Sequence, residues 1–151
     1  MNSERIQRIF AVNVTGSFLC AREAVKRMST KYGGKGGSIV NLSSGAAKYG
    51  SPGEYVDYAA SKAAIDTLTI GLAKEVAEEG IRVNAVRPGF IDTEIHQSGG
   101  EPDRMERVRP LVPMKRVGQA EEVADAIMWL LSDKASYTTG TILDVLSLIH
   151  I

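Results

Sequence analysis

The sequence predicts an α/β fold built on a parallel sheet, and two observations lead to this prediction. Stretches with helical apolar periodicity alternate along the chain with short apolar runs bounded by glycine. The order helix then strand occurs twice over, which is typical of parallel strands joined by right-handed crossovers. A chain of 151 residues is long enough to form one domain with a buried core.

The first helix and the first strand are predicted over residues 4–28 and 38–42. Residues 38–42 are short, apolar and bounded by glycine, as expected of a fully buried parallel strand. The helix contains the polar Asn13, which needs hydrogen-bond partners if it is buried. A broad apolar face of this helix is formed by Ile6, Ile9, Phe10, Val14, Phe18, Leu19 and Val25.

A second helix and a second strand follow. The helix is predicted over residues 56–79, has a face of small residues and is ended by Gly80. The strand is predicted over residues 81–86. Residues 88–93 then turn at the carboxyl end of this strand, which is where open α/β sheets bind ligands.

The remaining residues predict a polar lid, a third helix and a third strand. Residues 94–113 are polar and interrupted by glycine and proline, so we expect a mobile lid over the substrate. The helix is predicted over residues 120–131 and the strand over 141–145, with all three strands side by side. The lone His96 carries no assigned role. Three lid arginines could bind an anionic substrate group or form a solvated face, and these are Arg104, Arg107 and Arg109.

Tyr58 and Lys62 are candidate catalytic residues because they lie four positions apart, one turn from each other on a helix. The lysine charge favours the phenolate and is expected to lower the pKa of Tyr58 from its reference near ~10. Such a tyrosine can exchange a proton with a carbonyl or alcohol oxygen. The hydroxyl pair Ser43-Ser44 ends the first strand and can hold the same oxygen. A tyrosine and a lysine at this spacing also occur on solvated helices, but the preceding strand, serine pair and Gly/Pro loop favour catalysis.

Four blocks of the sequence stand out as motifs. They are V-N-V-T-G at residues 12–16, I-V-N-L-S-S at 39–44, Y-A-A-S-K at 58–62 and I-R-V-N-A-V-R-P-G-F-I-D-T at 81–93. Together they resemble the short-chain dehydrogenase/reductases, and the resemblance extends over residues 6–144. It implies the C-terminal part of a doubly wound parallel-sheet Rossmann domain. It also implies hydride transfer between NAD or NADP and a carbonyl/alcohol substrate, similar to 3-oxoacyl-carrier-protein reductases and sugar or glucose dehydrogenases.

The resemblance implies a role for each matching residue. Tyr58 is the expected acid/base, and Lys62 is its partner and a ligand of the cofactor ribose. Ser44 is expected to orient the substrate oxygen, with Ser43 as the alternative, and Asn13 to complete a proton path through a water. Gly89 would let the backbone approach a flat ligand closely. No metal site is expected, and the implied cofactor contacts are Asn13, Tyr58, Lys62, Pro88, Gly89, Phe90, Ile91 and Thr93.

Residues 1–145 are expected to be the catalytic half of a Rossmann domain, and residues 146–151 a tail that is not native to the protein. A dinucleotide pyrophosphate needs a Gly-rich turn that opens a helix, whereas the glycines of residues 33–37 precede a strand. Residues 146–151 coincide with the translation of a transposon end used in sequencing libraries. We therefore expect an enzyme as the full-length parent and an inactive protein from this chain alone.

The composition and the family resemblance limit the partners and the cellular location that we expect for this protein. The net charge is zero, which gives no preference for nucleic acid or an anionic membrane. Without a signal core or a membrane-spanning apolar run, the chain is predicted to be cytoplasmic. Cys20 lies in an apolar helical run and is expected to be buried. The long helices resemble those that pair in family homodimers and homotetramers.

Two alternatives to the dehydrogenase stay open at this point. One is a non-catalytic Rossmann module used for oligomerisation or sensing. The other is a member of the epimerase/dehydratase branch of the same family, which also uses tyrosine and lysine. The serine, tyrosine and lysine set disfavours the first, because a sensor does not need an activated tyrosine. The turn at residues 88–93 disfavours the second.

Overall fold

The computed structural model describes residues 2–94 and 103–147, and it shows a parallel sheet covered by helices on both faces. The described strands are β1 (Gly37–Leu42), β2 (Ile81–Pro88), β3 (Ile91–Asp92), β4 (Gly118–Gln119) and β5 (Ile142–Val145). The described α-helices are α1 (Ser3–Phe10), α2 (Gly16–Met28), α3 (Ala46–Tyr49), α4 (Val56–Val76), α5 (Arg104–Val108) and α6 (Ala120–Leu131).

The main sheet has the order β1-β2-β5, and both pairings are parallel. Leu42 lies beside Val86, and Val86 lies beside Leu143. The predicted α/β class and the predicted neighbourhood of the three strands are therefore confirmed. Because parallel strands end at the same edge, the loops after β1 and β2 emerge together.

The sheet is packed on both faces because successive strand residues point to opposite sides. Ile39 packs with Val83 against α4, whereas Val40 packs with Val86 against α6. On the α4 side, Ala73 and Val76 are buried, and on the α6 side, Val123 and Leu130 are buried. This two-sided core fixes where α4 lies relative to the ends of β1 and β2.

Asn84 of β2 joins the sheet to the segment that leads into β5. Its side chain is fully buried, and its Nδ2 donates to the Thr138 carbonyl oxygen at 2.9 Å. Its Oδ1 accepts a hydrogen bond from the Thr141 backbone N–H at 3.1 Å. One amide side chain thus satisfies two backbone groups that flank the start of β5.

Residues 4–28 form an almost continuous helix, as predicted, but it is interrupted by the π-helical segment Ala11–Thr15. Asn2 caps the start by accepting from the Arg5 N–H at 2.9 Å. Arg5 also forms an ion pair with Asp57 of α4, with Nε 2.6 Å from Oδ2. The π-helical segment carries Asn13 and faces α4.

The predicted apolar face of residues 4–28 is only partly covered. No residue of α1 is buried, and Phe18 and Leu19 of α2 are 51% and 46% exposed. The prediction that Cys20 is buried is wrong, since Cys20 is exposed. The physical reason is that the described elements pack against one side of this helix, and Cys20 lies away from that side.

The strand β1 is less buried than predicted. Its central residues are half-buried, and Leu42 is 53% exposed, whereas β2 has four consecutive buried residues. The cause is position, since β1 pairs only with β2 among the described residues and forms the outer strand of the three.

The predicted lid over residues 94–113 is corrected in its second half. Residues 95–102, with His96, lie outside the described residues. The following residues form α5 and a 3-10 turn, Arg109–Leu111, and they bury Met105, Val108 and Val112. The short elements α3, β3 and β4 were not predicted either, whereas the predicted bounds of residues 120–131 match α6.

Candidate active site

The loops after β1 and β2 are tied to each other at the carboxyl edge of the sheet. The Ser43 N–H donates to the Val86 carbonyl oxygen, and the Gly45 N–H donates to that of Pro88, both at 2.9 Å. The chain therefore leaves β1 in a fixed direction, with the serine pair beside the start of α4.

The two serines of the pair make different contacts. The Ser43 hydroxyl is buried and donates to the Lys62 carbonyl oxygen at 3.2 Å. The Ser44 hydroxyl accepts from the Ala46 N–H at 3.2 Å, and its side chain lies close enough to Tyr58 to lower the pKa of that tyrosine. The structure therefore brings Ser44, rather than Ser43, to the tyrosine.

Tyr58 lies in the first turn of α4 and is half-buried. Burial raises the pKa of Tyr58 above its ordinary value, because the charged phenolate is poorly solvated, and the hydrogen bond from Ser44 lowers it in part. The predicted lowering of this pKa by Lys62 is not found. The Lys62 ammonium lies 5.7 Å from the centre of the Tyr58 ring.

The Lys62 ammonium is held at the end of β1. Its Nζ donates to the Leu42 carbonyl oxygen at 2.7 Å. Burial lowers the pKa of Lys62, and the nearby carboxylate of Asp66 raises it. Tyr58 and Lys62 thus lie on one face of α4, as predicted, and the loop that carries Ser43 and Ser44 lies beside them.

Asn13 reaches α4 through Ser61. The Asn13 Nδ2 donates to the Ser61 Oγ at 3.0 Å, and the Ser61 hydroxyl donates to the Tyr58 carbonyl oxygen at 2.7 Å. The Asn13 carbonyl oxygen accepts from the Ser17 hydroxyl at 2.7 Å. Ser61 was missed from the sequence, although its place in the Y-A-A-S-K block was a signal. A π-helical turn at this residue is consistent with a functional site.

The turn after β2 packs against α5 and against Leu146. A Cβ at Gly89 would lie 2.6 Å from the Leu146 Cβ, so the absence of a side chain here lets Leu146 approach the backbone closely. Phe90 packs on Met105 and Val108 of α5. The other turn residues differ in exposure: Pro88 and Ile91 are half-buried, and Thr93 is exposed.

Arg104 connects α5 to the loop that precedes Tyr58. Its Nη2 lies 2.6 Å from the Glu54 Oε2, and its guanidinium lies 5.3 Å and 5.5 Å from the ring centres of Tyr55 and Phe90. The side chain is only 11% exposed, so the prediction of a solvated arginine face is wrong at this position. Arg107 and Arg109 are exposed.

Residues 1–146 match the family model described as enoyl-(acyl carrier protein) reductase, which is a model of short-chain dehydrogenase/reductases. The chain belongs to the short-chain dehydrogenase/reductase family. The sheet order, the placement of Ser44, Tyr58 and Lys62 at its carboxyl edge, and the family match agree with the Rossmann-type α/β domain predicted from the motifs.

Three relatives show the range of this family match. The chain is 68% identical to the uncharacterized oxidoreductase YgfF of Escherichia coli, over 96% of the chain and 59% of the relative. It is 41% identical to the 3-oxoacyl-[acyl-carrier-protein] reductase FabG of Thermotoga maritima, over 96% of the chain and 57% of the relative. It is 40% identical to glucose 1-dehydrogenase 2 of Bacillus subtilis, over 96% and 55%. The chain thus spans less than two thirds of the length of these relatives.

Across residues 2–94 and 103–147, no group of three or more His, Cys, Asp or Glu side chains could hold a metal ion. In the same part of the chain, no helix is both long and apolar enough to cross a membrane.

Proposed function

We propose that the protein containing this chain is an NAD(P)-dependent dehydrogenase or reductase that interconverts a small-molecule carbonyl and its alcohol. The observation that supports this proposal best is the placement of Ser44 beside Tyr58, with Lys62 one helical turn further along α4. A substrate oxygen beside both hydroxyls would be held by Ser44 and would exchange its proton with Tyr58. The names of the reductase and dehydrogenase relatives support the same reaction class.

The residues of the site divide the steps of proton transfer between them. During reduction, Tyr58 Oη gives its proton to the carbonyl oxygen, and during oxidation it takes the proton from the alcohol. Lys62 places a positive charge next to the phenolate that forms. Ser44 fixes the oxygen, and the Asn13–Ser61 contact holds the first turn of α4 in position.

The residues suit a nicotinamide cofactor on the same edge of the sheet. Lys62 offers a cation and Tyr58 a hydroxyl group, the donors that a ribose needs, while the backbone of residues 88–93 lies across from Ser44 through the Gly45–Pro88 hydrogen bond. Either NAD or NADP, when bound, supplies or accepts the hydride. Asn13, Pro88, Gly89, Phe90, Ile91 and Thr93 complete the proposed contact set.

Two other functions compete with this proposal. A non-catalytic Rossmann module would need no hydroxyl paired with Tyr58, and the Ser44 contact therefore favours an enzyme. An epimerase or dehydratase would use the same tyrosine and lysine, but the names of the relatives favour dehydrogenation or reduction.

The proposed enzyme is a cytoplasmic homodimer or homotetramer. Helices α1, α2 and α4 carry exposed apolar side chains, among them Ile6, Phe18, Val56 and Ile70. A second copy could cover this surface by pairing the same helices around a two-fold axis.

A tyrosine substitution tests the proposed function. We use a chimera in which this chain replaces the matching 145 residues of YgfF. Tyr58→Phe removes the transferable proton and should lower kcat for carbonyl reduction roughly a hundredfold or more. Cofactor affinity, measured by NAD(P)H fluorescence, should change little.

The matched control for this test is Tyr137→Phe, because Tyr137 is fully exposed and lies far from Ser44 and Tyr58 in the sequence. It should leave kcat unchanged. Turnover by Tyr58→Phe within about tenfold of the parent would contradict the proposed role of the tyrosine in proton transfer.

A further inference from the structure

A series of ion pairs of alternating charge lies next to the candidate site. Lys48 of α3 contacts Asp144 of β5, with Nζ 2.9 Å from Oδ2. Arg87 of β2 contacts Asp144 with Nη1 3.5 Å from Oδ1, and its Nη2 lies 2.7 Å from the Asp66 Oδ2. Asp66 lies one helical turn after Lys62 on α4. The ion pairs therefore run from the exposed Lys48 to Asp66, which lies one helical turn from the lysine of the candidate site.

Within the described residues, only one of the two carboxylate oxygens of Asp66 is hydrogen-bonded. The Arg87 Nε and Nη2 both donate to its Oδ2, at 3.0 Å and 2.7 Å. The other oxygen, Oδ1, is buried and has no hydrogen-bond partner within the described residues. The side chains of Arg87 and Asp66 are 17% and 10% exposed, so water screens their charges weakly. Such an oxygen is costly to bury, and its charge acts strongly on neighbouring groups.

Lys62 is the neighbouring group on which the negative charge of Asp66 acts. Its ammonium is half-buried and donates to the uncharged Leu42 carbonyl oxygen. Burial lowers the pKa of Lys62, and Asp66 opposes this effect. Tyr58 faces the ammonium from the same helix, and Arg87, Asp144 and Lys48 lie behind Asp66.

We propose that Asp66 is a positioning residue that keeps Lys62 protonated beside Tyr58, with Arg87 fixing the carboxylate in place. The proposal rests on the proposed function for the roles of Tyr58 and Lys62. Asp66 touches neither the substrate nor the reacting atoms in this arrangement, and it acts through Lys62. The ion pairs also join Asp66 to α3, the helix that follows Ser44.

The test measures the protonation of Lys62 by trace acetylation of the chimera with acetic anhydride between pH 7 and 10. Neutral amines react and ammonium groups do not, so the labelling rate of each lysine follows its protonation. Asp66→Asn should make Lys62 react roughly three- to tenfold faster at pH values below its pKa. The exposed Lys31 and Lys134 serve as internal references, and Asp66→Glu, which keeps the charge, should restore slow labelling.

Asp144→Asn is the matched control, because it removes the same charge from the other side of Arg87. It should change the labelling of Lys62 less than Asp66→Asn does. Labelling of Lys62 that is unchanged by Asp66→Asn, or is changed equally by both substitutions, would overturn the proposal.

A second variant covers the case in which Asp66→Asn fails to fold because Arg87 loses its partner. The double variant Asp66→Asn with Arg87→Met removes both charges. Since Asp66 lies nearer to Lys62 along α4, labelling should still be faster than in the parent. Unchanged labelling in the double variant would overturn the proposal as well. An active Tyr58→Phe variant would instead contradict the proposed function and leave the labelling result standing.

Discussion

The protonation of Tyr58 depends on which neighbours offset its burial. In the structure, burial raises the pKa of Tyr58, and the contact that lowers it comes from Ser44 and not from Lys62. The sequence identified all three residues, but it could not rank their effects. Spacing gives the face on which side chains lie, whereas the pKa depends on solvation and on the atom that each neighbour contacts.

The sequence also left the choice between Ser43 and Ser44 open. Neighbouring residues at a strand end point in different directions, and the direction is set by the hydrogen bonds from Ser43 to Val86 and from Gly45 to Pro88. Those contacts join distant parts of the chain, so they cannot be read from the local pattern. The structure places Ser44 beside Tyr58, and the choice of Ser44 over Ser43 as the catalytic serine stays a prediction.

Alanine substitution of the two serines tests this assignment. Ser44→Ala removes the hydroxyl that contacts Tyr58 and should lower kcat/KM of the chimera about a hundredfold. Ser43→Ala removes a hydrogen bond to the Lys62 carbonyl oxygen and should cost about 1 kcal/mol of stability, with kcat/KM nearly unchanged. Steady-state kinetics and urea unfolding of both variants provide the measurements, and the reverse ranking of kcat/KM would contradict the choice of Ser44.

The same pair of variants gives a pH-dependent readout. Because the Ser44 contact lowers the pKa of Tyr58, Ser44→Ala should move this pKa further upward. The tyrosine would then lose its proton at a higher pH than in the parent. Titration of ¹³Cζ-labelled tyrosine by NMR would detect the change, and Ser43→Ala should leave the Tyr58 titration in place.

At the scale of elements, long periodic segments were predicted well and short ones were missed. The helices α4 and α6 and the strand β2 have strong patterns and clear glycine or capping signals, and their observed bounds lie close to the predictions. The short elements α3, α5, β3 and β4 owe their form to tertiary contacts, such as the packing of Phe90 on Met105. Cys20 was misplaced for a related reason, since local periodicity does not show which side of a helix is covered.

Asn84 provides a prediction for the connection between β2 and β5. Asn84→Ala removes the acceptor of the Thr141 N–H and one of the two donors to the Thr138 carbonyl oxygen, which keeps the Arg82 Nη1 at 3.4 Å. The free energy of unfolding should fall by roughly 2 to 3 kcal/mol. Urea denaturation of the chimera measures this loss. Asn41→Ala is the control, because it removes only a side-chain contact with Thr69 and should cost about 1 kcal/mol. Equal losses in the two variants would contradict the bridging role of Asn84.

At the scale of the whole molecule, the parallel sheet and its two-sided cover follow from the order of elements, but the outer surfaces do not. Exposed apolar side chains on α1, α2 and α4 are present together with a well-packed core. Apolar periodicity predicts that a face is covered without saying whether the cover comes from the same chain or from another copy.

A surface substitution tests the proposed assembly. Phe18→Glu places a charge on the exposed apolar surface of α2 and should shift the chimera to a smaller species in sedimentation velocity at micromolar concentration. Tyr32→Glu is the control, because Tyr32 is an exposed aromatic residue beyond the end of α2. A parent chimera that sediments as a monomer would contradict the homo-oligomer.

The π-helical segment Ala11–Thr15 sets the rotational phase between the two halves of the long helix. A π turn accommodates one residue more than an α turn, so it rotates the following side chains by about 100° relative to an uninterrupted α-helix. Upstream of it, Arg5 reaches Asp57, and within it, Asn13 reaches Ser61. A deletion of one residue here would restore a regular α-helix. Arg5 and Asn13 would then no longer both face α4, so the two contacts could not form together. The length of this segment is therefore under a tighter constraint than its composition.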